Sequence, residues 1–303
     1  MSDTFLQMTE ITKDFPGVRA LDKANLEIRV GEIHGLVGEN GAGKSTIIKS
    51  LAGVYQHDSG DITVEGHSID QLTPVVAEEL GIRFVHQELN LVPHFTVAES
   101  VFMGQELTNP TGLDFKAMRE GAAETLQNAL GVTLNPKALI RDLSPAERKL
   151  VQIARALVKE GARLIVFDEP TAPLAAAEVQ KVLGAVRRLK DRGISVLYVS
   201  HYLGEITELC DRVTVFRNGT DVGVVDPVTP ESGRELIRLM VGRDLEQLFP
   251  ERQGMLGQER LSVQSLGDQQ KFRDVSFEIR AGEVVGLAGV LGSGCEEIVD
   301  ALV

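Results

Sequence analysis

The chain has 303 residues, enough for one large domain or two ordinary ones, each able to bury a core. With 43% hydrophobic and 25% charged residues it has the composition of a globular protein, and no apolar run is long enough to cross a bilayer. A formal net charge of −13 argues against nucleic acid as the main partner, because such binders carry a basic footprint. The opening MSDTFLQMTEITKDF lacks the basic start and apolar middle of a secretory signal. Cys210 and Cys295 provide no framework of bridges or metal ligands, so a reducing cytoplasm is the expected setting.

In chain order, the alternation of Leu26, Ile28 and Val30 predicts a half-exposed strand. IHGLVG then runs into a glycine-rich turn and a helix with Ile47, Ile48 and Leu51 on one side. Residues from about 96 to 160 lack strand signals and predict an inserted helical subdomain. The apolar runs RLIVF from Arg163 and SVLYV from Ser195 suit parallel strands covered on both faces. Between them, Val179, Val182, Leu183 and Val186 follow the spacing of a helix packed on such a sheet. The fold class is α/β.

RDLEQLFPERQGMLGQER, from Arg243, is charged and carries Pro and Gly without sustained periodicity, which predicts a linker over 244–260. Beyond it, GEVVGLAGVLGSGCEEIVDALV from Gly282 repeats GEIHGLVGENGAGKSTIIKSLA from Gly31, with 9 of 22 positions identical. The preceding LEIRV and FEIRA match as well. A repeat offset of 251 residues is too long for a solenoid and reads as a duplicated domain. The expected organisation is a first domain over 1–243 and, over 261–303, the N-terminal fragment of a second, degenerate copy that breaks off after its glycine-rich loop.

Gly38 to Ser45, GENGAGKS, fits the phosphate loop G-x-x-x-x-G-K-[ST] in the strand-to-helix context that the motif requires. Gly38, Gly41 and Gly43 let backbone N–H groups turn inward around phosphate oxygens, with Asn40 and Thr46 as further nucleotide-binding candidates. Lys44 can reach the β- and γ-phosphates and Ser45 can ligate Mg²⁺. A plain glycine turn before a helix is the structural alternative, and the flanking elements count against it. In the second copy Cys295 and Glu296 replace Lys44 and Ser45, which removes the attraction for a phosphate.

In RLIVFDEPTAP, Asp168 and Glu169 follow an apolar strand, at the end where open parallel sheets bind ligands. Neighbours in an extended chain point oppositely, so the two carboxylates are expected to diverge into two roles: Asp168 toward Mg²⁺, Glu169 as the base that polarises water.

LSPAERKLVQIARAL, Leu143 to Leu157, followed closely by LIVFDEPTAP, resembles the signature helix and second phosphate motif of ABC ATPases. Ser144 is also a plausible helix N-cap above the apolar stripe Leu150, Ile153, Ala154 and Leu157. The family's usual LSGGQ is here altered at Pro145, Ala146 and Glu147. The resemblance implies a P-loop NTPase of ABC type, with a mostly parallel core sheet, an antiparallel β-subdomain and an inserted helical subdomain. It also implies roles for other residues: Gln87 as the glutamine that touches Mg²⁺ and water, His201 as the switch histidine at the γ-phosphate, and Phe15 as the aromatic that stacks on adenine.

The wording HQELNLVPHFTVAES and the lysine-less second loop are similar to the monosaccharide-importer branch of that family. What this implies is an ATP- and Mg²⁺-dependent subunit that energises sugar import from the cytoplasmic face of the membrane. Its partners would be transmembrane permease subunits and, through them, a sugar-binding protein. Its phosphate loop would face the Ser144-type signature of a second nucleotide-binding domain or another copy. Leu89, Leu91, Val92 and Phe95 are candidates for the permease-docking surface, a core role being the alternative. A soluble ATPase acting on ribosomes or nucleic acid would call for a basic linker or coiled-coil insertions, and a non-catalytic nucleotide sensor for a degraded first loop or a lost Glu169; the sequence has none of these.

Overall fold

The computed structural model describes residues 4–86, 91–172, 174–242, 257–268, 271–289 and 293–302, in two units, Met1–Leu245 and Glu246–Val303. The first opens with a long antiparallel hairpin, β1 (Thr4–Phe15) and β2 (Val18–Arg29), turned by Pro16 and Gly17. Leu26 and Ile28 are buried, as their alternation predicts, but β2 stops at Arg29 and Val30 lies exposed beyond it. Then come β3 (Ile33–Gly38), α1 (Lys44–Leu51), β4 (Ser59–Val64), β5 (His67–Ser68), α2 (Pro74–Glu79) and β6 (Ile82–Val85).

The predicted helical insertion holds α3 (Val97–Val101), α4 (Phe115–Leu130) and α5 (Pro145–Val158). It also contains a two-stranded ribbon, β7 (Thr108–Asn109) with β8 (Gly112–Leu113), which the sequence did not signal. Two residues per strand are too short for any alternation to register. The chain continues through β9 (Leu164–Asp168), α6 (Ala176–Asp191), β10 (Ser195–Val199), α7 (Leu203–Leu209), β11 (Arg212–Arg217), β12 (Thr220–Val225) and α8 (Gly233–Val241).

Two sheets result. One is antiparallel, in the order β2-β1-β4-β5; the other runs β12-β11-β3-β10-β9-β6 and is parallel except for its edge strand β12. The parallel strands are buried on both faces, which explains their unbroken apolar runs. Alternate residues divide between two cores. Leu164, Val166, Leu197 and Val199 join α1 and the antiparallel sheet, whereas Ile165, Phe167, Val196 and Tyr198 join the helices α3 to α6. The sheet is thereby clamped, and the loops at the C-terminal ends of β3, β9 and β10 hang from a rigid edge.

The second unit contains β13 (Glu259–Leu266), β14 (Val275–Arg280) and α9 (Cys295–Asp300). Most of the expected linker falls on 243–256, outside the described residues; β13 already begins at Glu259, within the expected linker's last residues. The hairpin reproduces the first one in detail. Left-handed residues at Glu10 (φ 49°) and Lys23 (φ 52°) recur at Ser265 (φ 49°) and Asp274 (φ 54°). Glu10 N–H donates to Asn25 Oδ1 at 3.0 Å, and Ser265 N–H donates to Ser276 Oγ at 2.9 Å. Between these bulges, however, the first copy has residues 11–22 and the second only 266–273, so the hairpin tip that carries Phe15 has no full counterpart. The segment matching β3 forms no strand among the described residues.

Candidate nucleotide site

β3 delivers the phosphate loop through a fully buried strand ending at Gly38. A Cβ at Gly38 would stand 2.3 Å from the Phe216 carbonyl oxygen on β11, so only glycine lets the two backbones approach. Gly43, at φ 102°, is the N-cap of α1, and a Cβ there would meet the Ala20 carbonyl oxygen at 2.9 Å. The loop is braced from outside: Gly219 N–H donates to Ala42 C=O at 3.0 Å, and Asp22 N–H donates to Gly219 C=O at 2.9 Å.

Lys44, the first residue of α1, folds its ammonium back over the loop, donating to Gly38 C=O at 2.7 Å and Glu39 C=O at 3.0 Å. Burial lowers its pKa, while the carboxylates of Glu169 and Asp168 pull the other way. The cation is thus held beside the opening by two bonds that an incoming phosphate can replace.

β9 ends at Asp168, whose pKa is raised by burial and then by the neighbouring Glu169 charge, against the pull of nearby basic groups that include Lys44 and Lys49. A carboxyl raised in this way gains from a bound cation, and the exposed Ser45 lines the same cavity. This donor set fits Mg²⁺ shared with phosphate oxygens. Glu169 departs from the strand: it is left-handed, at φ 45°, and its N–H donates across to Val199 C=O on β10 at 2.9 Å. For a non-glycine residue this conformation costs on the order of 1–3 kcal/mol and persists only where the surroundings fix it. The chain is not extended at Glu169, so the alternation of an extended strand does not apply there, and both carboxylates line one cavity.

That cavity, of about 690 Å³, gathers Asn40, Gly41, Gly43, Lys44, Ser45, Thr46, Asp168 and Glu169 from the sequence-predicted set. Besides Ala42 of the same loop, its wall comes from Val18, Arg19 and Ala20 at the start of β2 and from Asn218 and Gly219 in the β11–β12 turn. Sequence reasoning missed this wall. The Asn-Gly pair signals a hairpin turn, but nothing local says that the turn closes on the phosphate loop.

The other candidates sit elsewhere. Phe15 does not line the cavity; it meets Tyr55 edge to face at 5.2 Å and lies under Lys13 Nζ at 5.6 Å. His201 approaches the site through Glu169, its Nδ1 3.3 Å from Glu169 Oε1. Gln87 lies outside the described residues, as does Leu89. Ser144 does not line the cavity and is the N-cap of α5. It accepts from Glu147 N–H at 3.3 Å, while the Glu147 carboxylate accepts from Ser144 N–H at 2.8 Å. Pro145 occupies the first helical turn. The unusual Pro145 and Glu147 therefore complete a capping box, and the cap uses the Ser144 hydroxyl as an acceptor, leaving its proton to donate.

Residues 21–172 match the family described as "ABC transporter". The chain is 49% identical over 302 residues to the ribose import ATP-binding protein RbsA of Cereibacter sphaeroides, covering 100% of this chain and 60% of the relative. It is 46% identical over 301 residues to ribose import ATP-binding protein RbsA 1 of Streptomyces avermitilis, covering 99% of this chain and 57% of the relative. The chain thus spans about three-fifths of the length of these curated relatives. Among solved structures it is similar to a nucleotide-free ATP-binding cassette from an ABC transporter, at TM-score 0.66 and 25% identity, over 79% of this chain and 96% of that one.

Proposed function

Because the chain belongs to the ABC transporter family, we propose that its first unit binds ATP with Mg²⁺ and hydrolyses it to energise import of a sugar through a membrane permease. The observation that carries this reading is the convergence of Lys44, Ser45, Asp168 and Glu169 on one cavity at the C-terminal edge of a parallel sheet. A soluble ATPase acting on ribosomes or nucleic acid would have to work against the net charge of −13.

Asn40, Gly41, Gly43 and Thr46 hold the phosphates with backbone N–H groups, and Lys44 exchanges its bonds to Gly38 and Glu39 for phosphate oxygens. Ser45, Asp168 and, by resemblance, Gln87 would hold Mg²⁺, which would supply positive charge against the phosphates. Glu169 accepts a proton from the attacking water, and His201 orients Glu169 and the γ-phosphate. Phe15, at the hairpin tip, takes the adenine face by rotating off Tyr55. Ser144 donates to the γ-phosphate held by a second nucleotide-binding domain or another copy of the chain.

Among the described residues no helix is long and apolar enough to cross a membrane. In this reading the chain attaches to the cytoplasmic face through permease subunits, which bring in a sugar-binding protein; a monosaccharide is the cargo, ribose being the sugar named for the relatives. Calorimetric titration with Mg-ATP and a phosphate-release assay test the reading. One Mg-ATP bound in the first unit with measurable hydrolysis is expected. No nucleotide binding, or hydrolysis that needs added ribosomes or nucleic acid, refutes it.

A further inference from the structure

Behind the Glu169–His201 pair lies a buried carboxylate to which the motifs assign no task. Glu205, on α7, is 9% exposed and surrounded by hydroxyl groups. Thr171 Oγ1 lies 2.7 Å from Oε1 and 2.8 Å from Oε2, Tyr198 Oη lies 2.9 Å from Oε2, and Ser200 Oγ lies 3.1 Å from Oε2. All three partners are buried, at 2%, 0% and 1% exposure. Ser200 Oγ in turn accepts from Tyr202 N–H at 3.0 Å, which leaves its own proton to point at Glu205.

The placement of these donors is what matters. Thr171 stands two residues after Glu169, and Ser200 immediately before His201. The loops after β9 and after β10 are thus bound to one carboxylate, and the main chain ties them again where Glu169 N–H meets Val199 C=O. A hydrophobic core would hold two such loops only loosely in direction, whereas hydroxyls converging on one carboxylate fix orientation as well as distance.

We infer that Glu205 is a positioning residue for hydrolysis, holding the loops of Glu169 and His201 in register through Thr171 and Ser200. This rests on the catalytic reading of Glu169 proposed above. Glu205 touches no reacting atom; its contribution is the angle at which the base meets water, so it belongs to turnover rather than to nucleotide affinity.

The experiment is a steady-state comparison of Glu205→Gln, Thr171→Val, Thr171→Ser and Glu169→Gln in the full chain, with thermal unfolding measured for each. Glu205→Gln and Thr171→Val are expected to lower kcat about tenfold or more while the KM for ATP stays within about twofold, and Thr171→Ser to restore kcat. Thr171→Val carries the test by itself if Glu205→Gln fails to fold, since it keeps the shape and removes one hydroxyl. A Thr171→Val protein with wild-type kcat, beside an inactive Glu169→Gln, overturns the inference and leaves the catalytic reading standing. Loss of kcat and ATP affinity together also overturns it, because that pattern marks general damage. Wild-type turnover in Glu169→Gln overturns both.

Discussion

The Nδ1 atom of His201 lies 3.3 Å from Oε1 of Glu169, although the two residues belong to loops from different strands, β10 and β9. The imidazole is 45% exposed and the carboxylate 23%, so Glu169, which lines the cavity, is the more shielded of the two. A histidine so placed can steer a carboxylate and a phosphate without being buried with either.

Glu169→Gln is therefore expected to retain Mg-ATP binding and lose hydrolysis by about 10²- to 10⁴-fold, the usual worth of a positioned base. Calorimetric affinity and phosphate release, measured on the same sample, separate the two effects. Hydrolysis at the wild-type rate would remove Glu169 from the role.

Lys44→Ala should act at the earlier step. The lost ammonium makes charge-assisted bonds worth roughly 1.5–3 kcal/mol, so Mg-ATP affinity should fall by about 10- to 100-fold. Without nucleotide the same change frees the Gly38 and Glu39 carbonyls, which a water at the cavity wall can satisfy, so the melting temperature should hardly move. Unchanged affinity for Mg-ATP contradicts this assignment.

At the other end of β3, Glu32 and Arg212 form a buried pair at 3.0 Å, with His34 Nδ1 3.2 Å from Glu32. Burial alone would raise Glu32, but the nearby His34 and hydrogen bonds from Arg212 hold it down at about 2. His34 is lowered chiefly by burial, against the pull of Glu32. Both shifts give stability that is present at neutral pH and lost on acidification: that of His34 as pH falls below its ordinary 6.5, that of Glu32 as pH falls from 4.5 toward 2. Melting temperature should decline through this window. Arg212→Leu, which strands a buried carboxylate, should cost about 3–5 kcal/mol at neutral pH, on the order of 10 °C. A melting temperature that is flat between pH 7 and 4 contradicts the account.

Leu91 and Phe95, paired by the sequence as candidates for a docking surface, are separated by the structure. Leu91 packs against the helical core, whereas Phe95 is 37% exposed. Leu91→Ser should destabilise the chain by about 1–3 kcal/mol, and Phe95→Ser should leave its melting temperature nearly unchanged. In vesicles reconstituted with the permease, Phe95→Ser should weaken transport more than ATP binding. Equal destabilisation by the two substitutions would place Phe95 in the core as well.

The second unit should add no nucleotide site. Cys295 stands where Lys44 stands in the first copy, Glu296 adds a negative charge at the Ser45 position, and the hairpin tip matching Phe15 is shortened. Calorimetry is expected to give one Mg-ATP per chain, and two equivalent nucleotides would refute this.

The sequence by itself determined whatever depends on neighbours along the chain. The phosphate loop between a strand and a helix, the doubly covered strands of β9 and β10 and the Ser144 cap are set by patterns a few residues long, so they are legible. Only the tertiary structure decided how distant pieces meet. Gly38 must be glycine because Phe216 passes behind it, Glu169 leaves the extended conformation with its N–H on Val199, and Thr171 finds Glu205 thirty-four residues away. No periodicity encodes such meetings. They arise when both faces of the sheet are covered and the loops at one edge are pressed together, where each buried polar group must then find its partner.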